Sequence, residues 1–227
     1  MSNVTYALDE RVATIRMDDG KANALSNDML GEVHAALDRA EADDAVVVLA
    51  GREGRFSSGF HLPTLRAGGP DAVRMLRSAF DLTVRMLSSP RPVVVACTGH
   101  AYAMGSFLLP AADHRVGAAG PFTITANEVL IGIVMPRSAI ELCRYRISPS
   151  HLHRVLAMAE AFTPEGAVEA GFLDEVVPAD DVLAAAQEAA RRTLDFDPKA
   201  YAATKARLQE DMLPRLRTCI DAEFPKS

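Results

Sequence analysis

The chain has 227 residues, enough for one domain or for one domain with a small appendage. Apolar residues make up 49% and charged residues 24%, a globular balance that excludes a disordered chain. Lys plus Arg number 24 against 30 Asp plus Glu, and the net charge of −6 argues against a nucleic-acid partner held by a basic face.

In chain order, Val4 to Leu8 and Val12 to Met17 are short apolar runs on either side of Asp9-Glu10 and predict a hairpin, ended by Asp18-Asp19-Gly20. Lys21-Ala-Asn-Ala-Leu25 reads as a loop. Ser26 is a predicted N-cap, with Asp28 in the first turn and Leu30, Val33, Leu37 and Ala40 at helical spacing behind it. Val46 to Ala50 is an unbroken apolar strand of the kind buried on both faces. Gly51 to Gly59 is a loop rich in Gly and Ser. A helix over about 71–87 stops at Ser89-Pro-Arg-Pro92, since proline cannot continue it. Pro92 to Cys97 is a second buried strand, Gly99 to Gly105 a turn and Ser106 to Ala112 a short helix. Asp113 to Gly117 and Phe122 to Thr125 read as short strands. From Pro136 the pattern is nearly all helical: 137–146, 149–160, 164–170, 180–194 and from 198 onward. Strands alternating with helices, then helices alone, predict an α/β core with a helical C-terminal region. No internal repeat is visible.

Several classes drop out. No residue between Arg91 and Asp113 carries a full charge, a stretch long enough to cross a bilayer. Its breaks at Thr98-Gly99-His100, Gly105-Ser106 and Pro110 read instead as strand, turn and helix, so no membrane partner is expected. The N-terminus has neither the basic region nor the apolar run of a signal peptide. Cys97, Cys143 and Cys219 are odd in number and scattered, which suits a reducing cytoplasm. His151 and His153, two apart on a predicted helix, face different ways, and no metal site is expected. The spacings GxGxxG, GxxxxGK[ST] and GxSxG are absent.

Two loops carry chemistry. Phe56-Ser-Ser-Gly-Phe-His-Leu62 and Gly99-His-Ala-Tyr-Ala-Met-Gly-Ser106 each leave a buried apolar strand and lead into a helix. Small residues let a backbone approach a ligand, and amides entering a helix are free to hold developing negative charge. On the residues alone, an oxyanion hole and simple tight packing are both open.

Gly51-Arg-Glu-Gly-Arg-Phe-Ser-Ser-Gly-Phe-His-Leu62 resembles the first signature of the crotonase (enoyl-CoA hydratase/isomerase) superfamily, a Phe-Ser-Ala-Gly-x-Asp-Leu run after a strand. Pro90 to Ser106 resembles its second, a strand and glycine-rich turn. Lys21 to Leu25 is similar to the loop that meets the adenine end of CoA, Asn127 to Pro136 to the Pro-Glu-x-x-x-Gly segment, and Ala170 to Pro178 to the family's helical tail. The resemblance implies a ββα spiral core over 1–178 holding the CoA-thioester site. It implies a helical region over 179–227 that serves trimerisation and closes the CoA site. It also implies a homotrimer or a dimer of trimers.

By position, the resemblance assigns the oxyanion amides to Ser58 and Met104 and a catalytic carboxylate to Glu128. Ala22, Ala24, Leu25, Ser57, Gly59, Phe60, His61 and Phe107 fall where the family binds its acyl-CoA thioester, and CoA, as part of the substrate, is the only cofactor implied. Arg52, Arg55, Arg66 and Lys21 stand where its phosphates could be met. The departures are Phe107 in place of the first hydratase carboxylate, Met104 and Ala103 in place of two glycines, and His61 in place of an acid. A non-glycine at 104 requires ordinary backbone angles there, or strain. Phe107 cannot place a water or move a proton, and an apolar wall raises the pKa of Glu128, which suits a general base near neutrality. The expected reaction is single-glutamate double-bond isomerisation. Hydration with a substitute second group and a thioester-binding protein without chemistry are the alternatives.

Overall fold

The computed structural model describes residues 2–225. A six-stranded sheet forms its centre: β1 (Val4–Asp9), β2 (Val12–Met17), β4 (Val46–Ala50), β7 (Val93–Cys97), β9 (His114–Ala118) and β11 (Glu175–Val177), in that order across the sheet. Only β1 and β2 are antiparallel; every later strand adds in parallel beside its predecessor. Between these strands the chain makes shorter ones. β3 (Ala24–Leu25) pairs with β6 (Gly59–Phe60), and β5 (Gly54–Ser57), β8 (Gly99–Tyr102) and β10 (Ile124–Thr125) form a small parallel sheet. Helices follow: α1 (Asn27–Ala42), α2 (Leu62–Ala67), α3 (Gly69–Ser88) and α4 (Met104–Phe107), then α5 (Arg137–Arg146), α6 (Pro149–Leu156), α7 (Pro164–Ala170), α8 (Val182–Arg192), α9 (Pro198–Leu208) and α10 (Met212–Glu223). Long strand, short strand, helix recurs along the chain, an architectural repeat that the sequence does not display.

The unbroken apolar runs serve two faces. In β4 and β7, Val47, Leu49, Val93 and Val95 enter the main core with α1 and α3. Val46, Val48, Ala50, Val94 and Ala96 enter a second core under Val182, Ala186, Ala189 and Ala190 of α8. The period of two places them so, and the alanines of α8 let that helix lie close.

Several expectations are corrected. The loops at 51–59 and 99–105 contain β5, β8 and the start of β6; glycines let β5 and β8 lie close, since a Cβ on Gly99 would stand 2.1 Å from the Gly54 carbonyl carbon. The helix expected over 106–112 begins at Met104 and ends at Phe107. The strand expected over 122–125 shortens to Ile124–Thr125, and the helix expected over 149–160 ends at Leu156. β11 lies in a stretch read as helical. Its three residues are too few to show a period, and pairing with β9 fixes them. The uncharged stretch becomes β7, β8 and α4, and no helix among the described residues is long and apolar enough to cross a membrane.

Candidate active site

The segment read as a loop to Leu25 ends in β3, and the loop proper, 18–23, is braced from within. The Asp19 carboxylate accepts the amides of Lys21, Asn23 and Ala24 at 2.7, 2.8 and 3.0 Å. Asn23 is fully buried at φ +50°, and its Nδ2 donates to Met17 O at 2.8 Å and Phe56 O at 3.2 Å. Arg52 Nη1 donates to Lys21 O at 2.6 Å, which commits this guanidinium to the loop. Ser57 Oγ then donates to Asn23 O at 2.8 Å and accepts Gly59 N–H at 3.1 Å, which shapes the first turn.

The two strand-end turns touch. A Cβ on Gly59 would lie 2.9 Å from Tyr102 O, and one on Gly105 would lie 2.6 Å from Ser57 O. Only glycine allows this approach, and Gly59 also stands at φ +84°. The strain foreseen at position 104 falls one residue earlier, on Ala103 at φ 49° and ψ −127°. Met104 is thereby free to open α4 in ordinary helical geometry. As the first amide of that helix, it donates to no acceptor among the described residues. The Ser58 amide is engaged, donating to Ala22 O at 3.1 Å.

Glu128 opens a 3-10 turn over Glu128–Ile131 and is 5% exposed. Its Oε2 is buried without a hydrogen-bond partner. Burial raises its pKa to about 7, opposed only by a bond from its own amide. Such an environment stores a carboxyl ready to exchange a proton near neutral pH. The group faces a cavity of about 830 Å³ lined by Ser58, Ala103, Phe107 and Asn127, with apolar side chains from α2, α3, the 131–136 segment and the end of α10. That volume suits a small-molecule ligand.

Of the residues singled out from sequence, Ser58, Phe60, Arg66, Ala103, Phe107 and Glu128 line this cavity. Met104 lies behind Ala103, its side chain in the core. Leu25 and Ser57 are fully buried and act as framework through β3 and the Asn23 bond. Gly59 is one of two glycine contacts between the turns, Gly105 the other, while Ala22 stands half-buried on the braced loop and Ala24 half-buried in β3. His61 turns to Thr64 Oγ1 at 2.9 Å at the start of α2. His100 accepts Thr123 N–H at 3.0 Å and stacks on Tyr102, away from the cavity lining. Sequence reasoning missed Leu62, Leu65, Leu76, Phe80 and Phe224, because an apolar residue lining a cavity has the same helical spacing as one in the core. Among the described residues no cluster of three or more His, Cys, Asp and Glu could hold a metal ion.

Residues 8–225 match the family model described as Enoyl-CoA hydratase/isomerase. The chain is 35% identical over 204 residues to a probable enoyl-CoA hydratase of Mycobacterium avium, covering 87% of this chain and 78% of that one. A structure titled as an enoyl-CoA isomerase of Mycobacterium tuberculosis superposes with a TM-score of 0.94 at 43% identity, over 97% of both chains. A second structure of that mycobacterial protein is titled a probable enoyl-CoA hydratase, at a TM-score of 0.95 and 44% identity, covering 98% of this chain and 96% of that one. The human mitochondrial delta3-delta2-enoyl-CoA isomerase matches at 0.91 and 27%, over 98% of this chain and 89% of that one. The names of these relatives divide between two reactions.

Proposed function

The chain belongs to the enoyl-CoA hydratase/isomerase family, and we propose that within it the site moves a double bond rather than adding water. One observation carries the reading: the cavity holds a single buried carboxyl, Glu128, with Phe107 in the same wall. The Glu128 carboxylate takes a proton from C2 of a 3-enoyl-CoA thioester. The C2–H electron pair moves toward the carbonyl, and the thioester oxygen becomes an enolate oxygen. Met104 N–H receives that oxygen, and Ser58 N–H joins it by exchanging its bond to Ala22 O. Two amides aimed at developing charge act strongly in a site closed to water. Glu128 then returns the proton at C4, giving the 2-enoyl isomer at unchanged mass. The shuttle needs no group beyond the CoA carried by the substrate. The homotrimer or dimer of trimers that the family resemblance implies belongs to the same reading.

The apolar wall also bears on the competing reaction. Hydration has to hold a water beside C3, and Phe107 offers it no hydrogen bond. Incubation with 3-enoyl-CoA and with trans-2-enoyl-CoA, followed by mass and chromatography, tests this directly. Isomer at constant mass is expected. A gain of one water from the 2-enoyl substrate at a comparable rate would overturn the reading.

A further inference from the structure

One wall of the cavity takes no part in the proton shuttle. Phe80 of α3 and Phe224, the residue that follows α10, stack there with ring centroids 5.3 Å apart and planes 11° from parallel. Both rings are buried, whereas Leu62, Ile131 and Val134 of the same lining stand open to solvent. The stack therefore closes the buried end, and the mouth lies beside Leu62 and Val134.

Phe224 is held in place from outside the cavity. Arg77 of α3 donates Nη1 to Phe224 O at 2.9 Å and pairs with Asp221 at 2.7 Å and Asp81 at 3.1 Å. The neighbouring Glu223 carboxylate accepts Arg137 N at 2.6 Å, Ser138 N at 3.0 Å and Ser138 Oγ at 2.8 Å, capping α5. Residues 223 and 224 are thus clamped between α3 and α5, which fixes the backbone that carries the ring.

We propose that the Phe80–Phe224 stack is the end stop that sets how long an acyl chain the site accepts, with Arg77 as the positioning residue that holds the stop. This rests on the acyl-thioester reading above. Removing the Phe224 ring opens room for further methylenes, and one methylene in an apolar pocket changes selectivity by about 10- to 200-fold.

The test is titration calorimetry with saturated acyl-CoA thioesters of stepwise increasing chain length, which reports binding without any isomerisation. The parent protein is expected to lose affinity sharply beyond one length. Phe224→Ala should move that limit to longer chains, with about 10-fold or more tighter binding just past the old limit. Phe224→Leu, which keeps an apolar side chain on the stack, should move it less and guards against loss of folding. Arg77→Ala should move the limit the same way, and Arg77→Lys, whose single ammonium can keep only part of the three contacts, should move it less; a merely stabilising arginine would shift melting without touching chain length. Length profiles of the Phe224 variants that coincide with the parent's overturn the end stop. An inactive protein whose profile still moves overturns the proton shuttle alone, and a parent that binds no acyl-CoA overturns both.

Discussion

A Cβ placed on Gly59 would stand 3.2 Å from the Met104 amide nitrogen, so the turn after β5 packs directly on the backbone that opens α4. The same Cβ would press on Ala103 Cβ and Tyr102 O, both at 2.9 Å. Gly59→Ala therefore forces backbone apart at φ +84°. We expect a loss of about 3 kcal/mol, read by thermal or urea unfolding, from overpacking and a left-handed non-glycine together. Turnover should fall further than the folded fraction does, because Met104 N–H moves with the turn.

On the proposed shuttle, Glu128 is ionised when it accepts the first proton. With its pKa raised to about 7, kcat/KM should rise with pH and level off above about pH 8. Glu128→Gln should lower turnover by about 10²- to 10⁴-fold while thioester binding persists. Stability gives an independent reading of the same group. Its folded pKa lies above the ordinary 4.5, so its ionisation adds no penalty below about pH 4.5 and the full penalty above about pH 7. Glu128→Gln should therefore be the more stable protein at pH 8, by about 3 kcal/mol at 1.36 kcal/mol per pH unit, with the advantage vanishing toward pH 4. A parent and variant that melt alike at both pH values would contradict this.

Ala103 at φ 49° and ψ −127° holds a conformation open to glycine and costly to other residues, by about 1–3 kcal/mol. Ala103→Gly exchanges that strain for the greater entropy of an unfolded glycine. A net gain of about 1 kcal/mol is expected, a rise in Tm of about 2–4 °C for a chain of this size.

Lys205 of α9 is 6% exposed and donates to Asp113 Oδ2 at 2.7 Å and to Met86 O at 3.0 Å. The same Asp113 oxygen accepts Val93 N–H at 2.8 Å, so one carboxylate ties α9 to β7 and, through the lysine, to the end of α3. Removing one member of a buried pair leaves the other charge uncompensated. Lys205→Met should cost about 3 kcal/mol in urea unfolding. A double variant with Asp113→Asn should recover part of it.

Legibility in the sequence followed the length of each signal. The hairpin, α1 behind Ser26, and the buried strands β4 and β7 repeat their periods over enough residues to be read. Ser26 indeed caps α1, accepting Met29 N–H. β3, β6 and β10 span two residues each, and β11 three, so only their pairing defines them. Ser58 and Glu128, singled out through the motifs around them, do line the cavity, and Gly59 lies between the two turns. The site was not legible where the fold brings distant side chains to one wall: Phe80 and Phe224 lie 144 positions apart and meet only through the packing of α10 on α3. The engagement of Ser58 N–H by Ala22 O is likewise a tertiary fact.

The strand order β1-β2-β4-β7-β9-β11 never doubles back, so each new coil of the chain leans on the one made just before it. This suits growth from one edge as the polypeptide emerges from the ribosome. The face that α8 covers is the exception. Val12, Val46, Val48, Ala50, Val94, Ala96 and Val116 stay bare until residues 182–190 have been made. A polypeptide halted at Pro178 would present that row of valines and alanines to water, and should be recovered as aggregates or bind a hydrophobic dye strongly. The C-terminal helices thus finish the sheet before they finish the site, and synthesis up to that point leaves a sticky nascent chain that only its own last fifth can quench.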